Sequence, residues 1–371
     1  MARGDVRQAQ SLLELAAQRG RDAATLLRLA TVRRMVGDYG GALKCASAAI
    51  ELEPRNFLMC LMLGSLREAT GAIHGSERAY RAACACTPHE LSFQPAMAKQ
   101  LERARLHVEA AELWRRRLLE WRPDAGGLTP AEQRRMRGFR GNLLENLDAG
   151  PLAPPLYVIP GIKRERYFDP TAFAGVAELE LATAELRQEF MALAETKKDQ
   201  LGARLAGLHG DAGGPGANGR WSMIPLMRNG RVIREFASKC PRTMQLAGGL
   251  ELPQIPLISP SVYFSVLEPG SRIAPHTGIT NARLIAHFPL IVPEDCGLRV
   301  GGETRRWQPG KALVFDDMTE HEAWNNSDRI RVILIVDLWR PELSAAERDA
   351  VRKLMDCPDI DSAGQAAVSA T

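Results

Sequence analysis

The sequence predicts an α+β protein of two domains: an all-α array of helical repeats, then an antiparallel β-sandwich of the jelly-roll type. Three observations lead there. The first 120 or so residues repeat at a spacing of 34. From about residue 256 the apolar pattern changes from helical spacing to short alternating runs bounded by Gly, Pro, Asp or Asn. Between the two halves, "RPDAGGLTPAEQRRMRGFRGNLLENLDAGPLAPP" has the composition of a connector. A chain of 371 residues, 45% hydrophobic and 25% charged, has enough apolar surface for two separate cores. The expected boundaries are residues 1–123 for the repeats, 124–155 for the linker, 156–343 for the sandwich and 344–371 for a C-terminal helix and tail.

The repeats come first. "LRLATVRRMVGDYGGALKCASAAIELEP", ending at Pro54, lies over "LMLGSLREATGAIHGSERAYRAACACTP", ending at Pro88, when slid by 34 residues. Leu29 then meets Leu63, Gly37 meets Gly71 and Ala49 meets Ala83. Small residues (Ala30 with Gly64, Ala42 with Ser76) fall where paired helices have to approach closely. A degenerate third copy ends at Pro123 and a partial one covers residues 3–20. This period and pattern resemble tetratricopeptide repeats. Each unit is then a helical hairpin that buries its apolar seam only by stacking into a solenoid. Such an array serves either as a spacer or dimer surface, or as a groove for a peptide or protein partner.

In the connector, Thr129-Pro130 reads as a helix start and the Pro-rich exit as its end. "GLHGDAGGPGANGR" (207–220) is too rich in glycine for a regular element and reads as a surface loop. The strands of the second domain follow as "SVYFSVLEPG", "ARLIAHFPLIV", "LRVGGETRRW", "KALVFDD" and "IRVILIVDLW". Side chains alternate along a strand. Parity therefore puts Arg283, Ile285 and His287 on one face, and Arg331, Ile333, Ile335 and Asp337 on one face of another strand. A charge facing inward needs a partner there. "LSAAERDAVRKLM" is a Ser-capped helix, and residues after about 360 carry no catalytic role.

The chemistry gathers around His276, just after the turn "PGSRIAP", and His321, a short corner after "ALVFDD", with Arg331 ten residues further on. Two histidines and an arginine are not specific by themselves. The motifs around them are: "HTGITNARL", "LRVGGETRRWQPGKALVFDD", "HEAWNNSDRIRVILIVDLWRPEL" and "CPRT". Through these, residues 156–343 resemble the aspartyl/asparaginyl beta-hydroxylase family of iron(II)- and 2-oxoglutarate-dependent oxygenases, which fold as a double-stranded β-helix. Tetratricopeptide-like repeats precede that domain in the family's animal members.

The resemblance implies that His276 and His321 hold Fe(II) and that Gly278 stands where related iron enzymes carry a carboxylate. Imidazole donors suit iron(II), and a chelating 2-oxoacid fills further positions. By the same resemblance Arg331 grips the distal carboxylate of 2-oxoglutarate, a task for a two-pronged donor; the other reading of Arg331 is a buried ion pair with Asp337. Ser265, His287 and Trp221 match further cosubstrate positions, or are satisfied core residues. Arg283 matches a substrate-carboxylate position, or is structural. Asp316 and Asp317 read as turn chemistry outside the metal shell. Ile285 departs from the family, where an arginine helps to hold the cosubstrate.

The implied reaction is beta-hydroxylation of Asp or Asn in a peptide, protein or amino-acid substrate, coupled to decarboxylation of 2-oxoglutarate. Two alternatives are an iron halogenase, which also has glycine at the carboxylate position, and a non-catalytic repeat scaffold whose barrel senses iron or 2-oxoglutarate. A net charge of +4 disfavours nucleic acid. Seven cysteines, odd in number and mostly in apolar surroundings, fit reduced thiols. No segment approaches the ~18 uninterrupted apolar residues of a spanning helix, so the expectation is a cytoplasmic protein without a membrane partner.

Overall fold

The computed structural model describes residues 3–70, 73–88, 95–123, 127–195 and 221–358. The glycine-rich stretch at 207–220 and the tail after residue 360 lie outside them. Residues up to Trp121, with Leu143–Leu156, gather into one compact unit; Arg122–Asn142 and Tyr157–Met355 form a second.

The first unit is helical: α1 (Arg3–Arg19), α2 (Ala23–Met35), α3 (Tyr39–Leu52), α4 (Phe57–Ala69), α5 (Ile73–Ala85) and α6 (Pro95–Glu120). Side-chain oxygens of Asp22, Asp38 and Asn56 accept from Thr25, Gly41 and Met59 amides and so start α2, α3 and α4. Gly37, at φ +84°, takes the left-handed turn between α2 and α3. The small residues in register do what close packing asks. Ala30, Ala42 and Ser76 are fully buried, and a Cβ on Gly64 would stand 2.4 Å from the Tyr80 ring. The stretch expected to hold a third copy differs: α6 runs unbroken for 26 residues. Position 105, in step with Gly37 and Gly71, is an arginine, and α6 contains no glycine to break it. Among the described residues no helix is long and apolar enough to cross a membrane.

The second unit begins with part of α7 (Pro130–Asp148), which opens on a reciprocal cap between Thr129 and Glu132. The unit boundary falls within this helix, between Asn142 and Leu143. Two antiparallel sheets follow. The larger has the order β1 (Tyr167–Phe168), β9 (Leu313–Phe315), β6 (Arg283–Ile291), β11 (Arg331–Trp339), β4 (Val262–Leu267), β2 (Trp221–Arg228), β3 (Arg231–Val232). The smaller runs β5 (Ser271–His276), β10 (His321–Asn325), β7 (Cys296–Val300), β8 (Glu303–Arg305). From β4 to β11 the chain passes repeatedly from one sheet to the other, so β9-β6-β11-β4 faces β5-β10-β7-β8 in jelly-roll order.

The strand parity holds in three dimensions. Val332, Leu334, Val336 and Leu338 enter a core with Leu186, Phe190 and Leu193 of α9 (Thr183–Glu195) and Val176 and Leu179 of α8 (Val176–Leu181), on the outer face of the large sheet. Ile285, Ile333 and Ile335 point the other way, into a second core with Ile273, Leu298 and Ala323 of the small sheet. Outer-face burial anchors the sheet, and the inner face is left for the site. The helices α10 (Pro241–Gly248, between β3 and β4) and the C-terminal α11 (Ala345–Leu354) complete the unit; Ser344 caps the latter as expected, and Glu347 makes the cap reciprocal.

Candidate active site

His276 ends β5 and His321 begins β10, and the two face each other in the ladder. Their ring centroids are 4.1 Å apart. Each ring is turned by its own backbone: Nδ1 of His276 lies 2.8 Å from the Ala274 carbonyl and Nδ1 of His321 lies 3.0 Å from that of Thr319. A carbonyl can only accept, so both Nδ1 atoms carry the proton and both Nε2 lone pairs remain for a ligand. Burial and the neighbouring imidazole push His321 down to about 3, which keeps it neutral. Among the described residues no three His, Cys, Asp or Glu side chains converge on a common point, so the donors offered are this imidazole pair.

Gly278 is glycine for a spatial reason. A Cβ there would meet the Asp317 carboxylate at 2.3–2.7 Å, while the Gly278 amide donates to the Asp317 carbonyl at 2.6 Å. Asp317 is held in turn by Arg283, Nη1 to Oδ2 at 3.0 Å, and Arg283 Nε lies 3.7 Å from Asp337. Arg283 thus joins two buried carboxylates, and they raise its guanidinium further above its ordinary range. Asp316 does the turn chemistry read from the sequence, accepting from the Met318 amide, and also binds Arg340 at 2.8 Å.

The four residues matched to the cosubstrate come together on the inner face of the large sheet. Arg331, 1% exposed, pairs in register with Leu267, and Leu267 with Trp221. Its Nη1 donates to Ser265 Oγ at 3.2 Å and lies 3.4 Å from the Ser265 carbonyl; Trp221 Nε1 donates to the same Oγ at 2.9 Å. Nε and Nη2 of Arg331 have no hydrogen-bond partner. Burial brings this guanidinium down to about 10. Asp337, the ion-pair partner that the sequence allowed for Arg331, is instead occupied by Ser259 Oγ at 2.6 Å, the Ser261 amide at 2.8 Å and Arg283. A buried, two-pronged cation with two empty prongs fits an incoming carboxylate. His287 is buried next to it; burial and the charge of Arg331 push its imidazole well below the ordinary range.

The sequence reading missed Trp307. It follows β8, is 4% exposed, donates from Nε1 to His287 Nδ1 at 3.2 Å, and places its ring 5.0 Å from Arg331 Cζ. In the sequence it stood only as the last residue of "LRVGGETRRW", inside a motif that singled out none of its own residues. Phe315 was missed as well; its ring lies 4.9 Å from His287 and 5.2 Å from His321, edge-on to both. Ile285, in register with Phe315 and Asp337, adds to this apolar wall. Thr280 and Asn281 of "TNARL" proved structural: Thr280 donates to the Tyr157 carbonyl, and Asn281 clamps both backbone groups of Ile159 at 2.7 and 2.8 Å.

Residues 180–341 match the family model of aspartyl/asparaginyl beta-hydroxylase. That segment belongs to the aspartyl/asparaginyl beta-hydroxylase family. The aspartyl/asparaginyl beta-hydroxylase of Mus musculus is 39% identical over 137 residues, 35% of this chain and 18% of that protein. The human aspartate beta-hydroxylase domain-containing protein 2 is 39% identical over 137 residues, 36% of this chain and 37% of that protein. An ornithine lipid ester-linked acyl 2-hydroxylase of Rhizobium tropici is 38% identical over 130 residues, 34% of this chain and 44% of that protein. The chain spans less than half the length of each of these relatives.

Proposed function

We propose that the jelly-roll unit is an iron(II)- and 2-oxoglutarate-dependent hydroxylase. The observation that supports this most is the pairing of two preset imidazoles with a buried guanidinium that has two nitrogens without partners. His276 and His321 would hold iron through Nε2. Arg331 and Ser265 would hold the distal carboxylate of 2-oxoglutarate, with Trp221 fixing Ser265 from behind. When bound, iron and 2-oxoglutarate supply the oxidising chemistry. The chain itself binds the distal carboxylate, orients the two imidazoles, and lines the space beside His321 with Phe315, which keeps water from the reacting centre. Arg283 holds the Asp317 carboxylate where a side chain on Gly278 would have to stand.

The names of the relatives share one chemistry. The β-carbon of an aspartyl or asparaginyl residue and carbon 2 of an acyl chain are both methylenes bonded directly to a carbonyl carbon. The substrate is therefore proposed to present such a methylene, with an Asp or Asn side chain in a peptide, protein or amino acid as the leading case. The test incubates the protein with iron(II), ascorbate, 2-oxoglutarate and panels of Asp- and Asn-containing peptides. Succinate formed in proportion to a substrate mass gain of one oxygen is expected, and lost in Arg331→Met. Succinate without any oxygenated product across the panels contradicts the assignment, and a chlorinated product in chloride buffer would replace it with halogenation.

A further inference from the structure

We propose that Trp307 is the positioning residue of the anion pocket: its indole N–H sets the tautomer of His287, and its ring supports the Arg331 guanidinium. This rests on the proposed 2-oxoglutarate site and deepens it. Trp307 sits on the segment between β8 and β9, where the chain crosses from the small sheet to the large one. From there it touches two strands at once, His287 on β6 and Arg331 on β11.

The geometry fixes the protons. An indole nitrogen is a donor only, so His287 Nδ1 at 3.2 Å must be the acceptor. The proton of the neutral ring is then on Nε2, and His287 is a donor on its far side. Protonating Nδ1 would set two N–H groups against each other, so Trp307 also opposes the imidazolium. The pocket then presents one full positive charge, on Arg331, and one neutral donor, on His287. This matches a single carboxylate. The ring contact to Arg331 acts on the charge itself: an aromatic face 5.0 Å from Cζ stabilises a cation that has no carboxylate partner. Ile285 adds only apolar surface to the same inner face, so both effects carry more of the selection for a dicarboxylic 2-oxoacid.

The experiment compares wild type, Trp307→Phe, His287→Gln and the double variant, each first shown folded by circular dichroism and thermal unfolding. Phe keeps a smaller aromatic ring beside Arg331 and removes the donor; Gln supplies an amide donor that needs no tautomer. Anaerobic calorimetry with the iron(II) protein measures affinity for 2-oxoglutarate and for 2-oxobutanoate, which has the same chelating half but no distal carboxylate. Trp307→Phe is expected to weaken 2-oxoglutarate about tenfold, about 1.4 kcal/mol, and to leave 2-oxobutanoate unchanged. In the Gln background the same change should cost less than about twofold. Nitrogen-15 histidine spectra of the ligand-free protein give a readout independent of the cosubstrate, with His287 as the Nε2–H tautomer in wild type and a mixture in Trp307→Phe. Equal loss for both acids, an equal loss in the Gln background, or an Nδ1–H signal in wild type overturns the proposal. Wild type that binds neither acid overturns the 2-oxoglutarate site itself; wild type that binds 2-oxoglutarate while Trp307→Phe binds it equally well overturns only the role of Trp307.

Discussion

Arg331→Met separates a functional arginine from a structural one. The wild-type guanidinium is 1% exposed, and Nε and Nη2 have no hydrogen-bond partner. Two unsatisfied buried donors cost roughly 1–3 kcal/mol each, which a methionine of similar length would relieve. Against that, the variant loses a charge-assisted bond to Ser265, roughly 1.5–3 kcal/mol, and the contact with the Trp307 ring, roughly 2 kcal/mol. The balance lies near zero, within about 3 kcal/mol either way. A guanidinium in a buried ion pair is different: removing it strands a carboxylate and costs roughly 3–5 kcal/mol. For a unit of this size 1 kcal/mol moves Tm by about 2–4 °C. Thermal unfolding without metal or 2-oxoglutarate should therefore find Arg331→Met close to wild type, while the thermal shift given by iron(II) with 2-oxoglutarate disappears. A fall in Tm of about 10 °C or more in the ligand-free protein, with the ligand shift retained, would refute the reasoning and make Arg331 a structural residue.

The other predictions concern two packed carboxylates. Gly278→Ala places a methyl within 2.3–2.7 Å of the Asp317 carboxylate, which has to shift away from Arg283; stability should fall by about 3–5 kcal/mol, and an unchanged Tm would show that Asp317 moves freely. Gly278→Asp adds like charge to the same clash, so it should fail to strengthen iron binding in a metal titration although it supplies a carboxylate donor. In the helical unit, Glu68 accepts from Tyr80 Oη at 2.8 Å and Arg103 Nε at 2.6 Å, and His107 Nε2 lies 3.3 Å from it. Although burial opposes them, these partners bring it from the ordinary 4.5 down to about 2. Its folded-state pKa is lowered, so its stabilisation, on the order of 3 kcal/mol, is full above about pH 4.5 and is lost as pH falls towards 2. Glu68→Gln should be less stable than wild type at neutral pH and converge with it in acid; parallel acid-unfolding curves would count against this ion network.

What could be read from the sequence was whatever depends on local periodicity. Alternation placed Arg283 with His287 and Arg331 with Asp337 on the inner face, because one face of each strand had to meet the helices of the outer core. The 34-residue step marked Gly64 as a place of close approach, and the structure puts the Tyr80 ring there. What escaped depends on distance in space. Arg283 and Asp317 are 34 residues apart, and nothing in either local pattern says that they meet or that their pairing leaves no room for a Cβ on Gly278. Trp307 closes the run "LRVGGETRRW", whose pattern says nothing of distant strands, so only the fold reveals that it touches His287 and Arg331. The long α6 could have been foreseen, since a hairpin there lacked the glycine its turn requires; similarity of the flanking residues masked this.

The most direct test is an anaerobic titration of the metal-free protein with iron(II) and 2-oxoglutarate, following the weak visible charge-transfer band of an iron-chelated 2-oxoacid. The account predicts a saturable band in wild type that is absent from both His276→Ala and His321→Ala, each still folded. Absence of the band in wild type at saturating cosubstrate, or its persistence in either histidine variant, would contradict it.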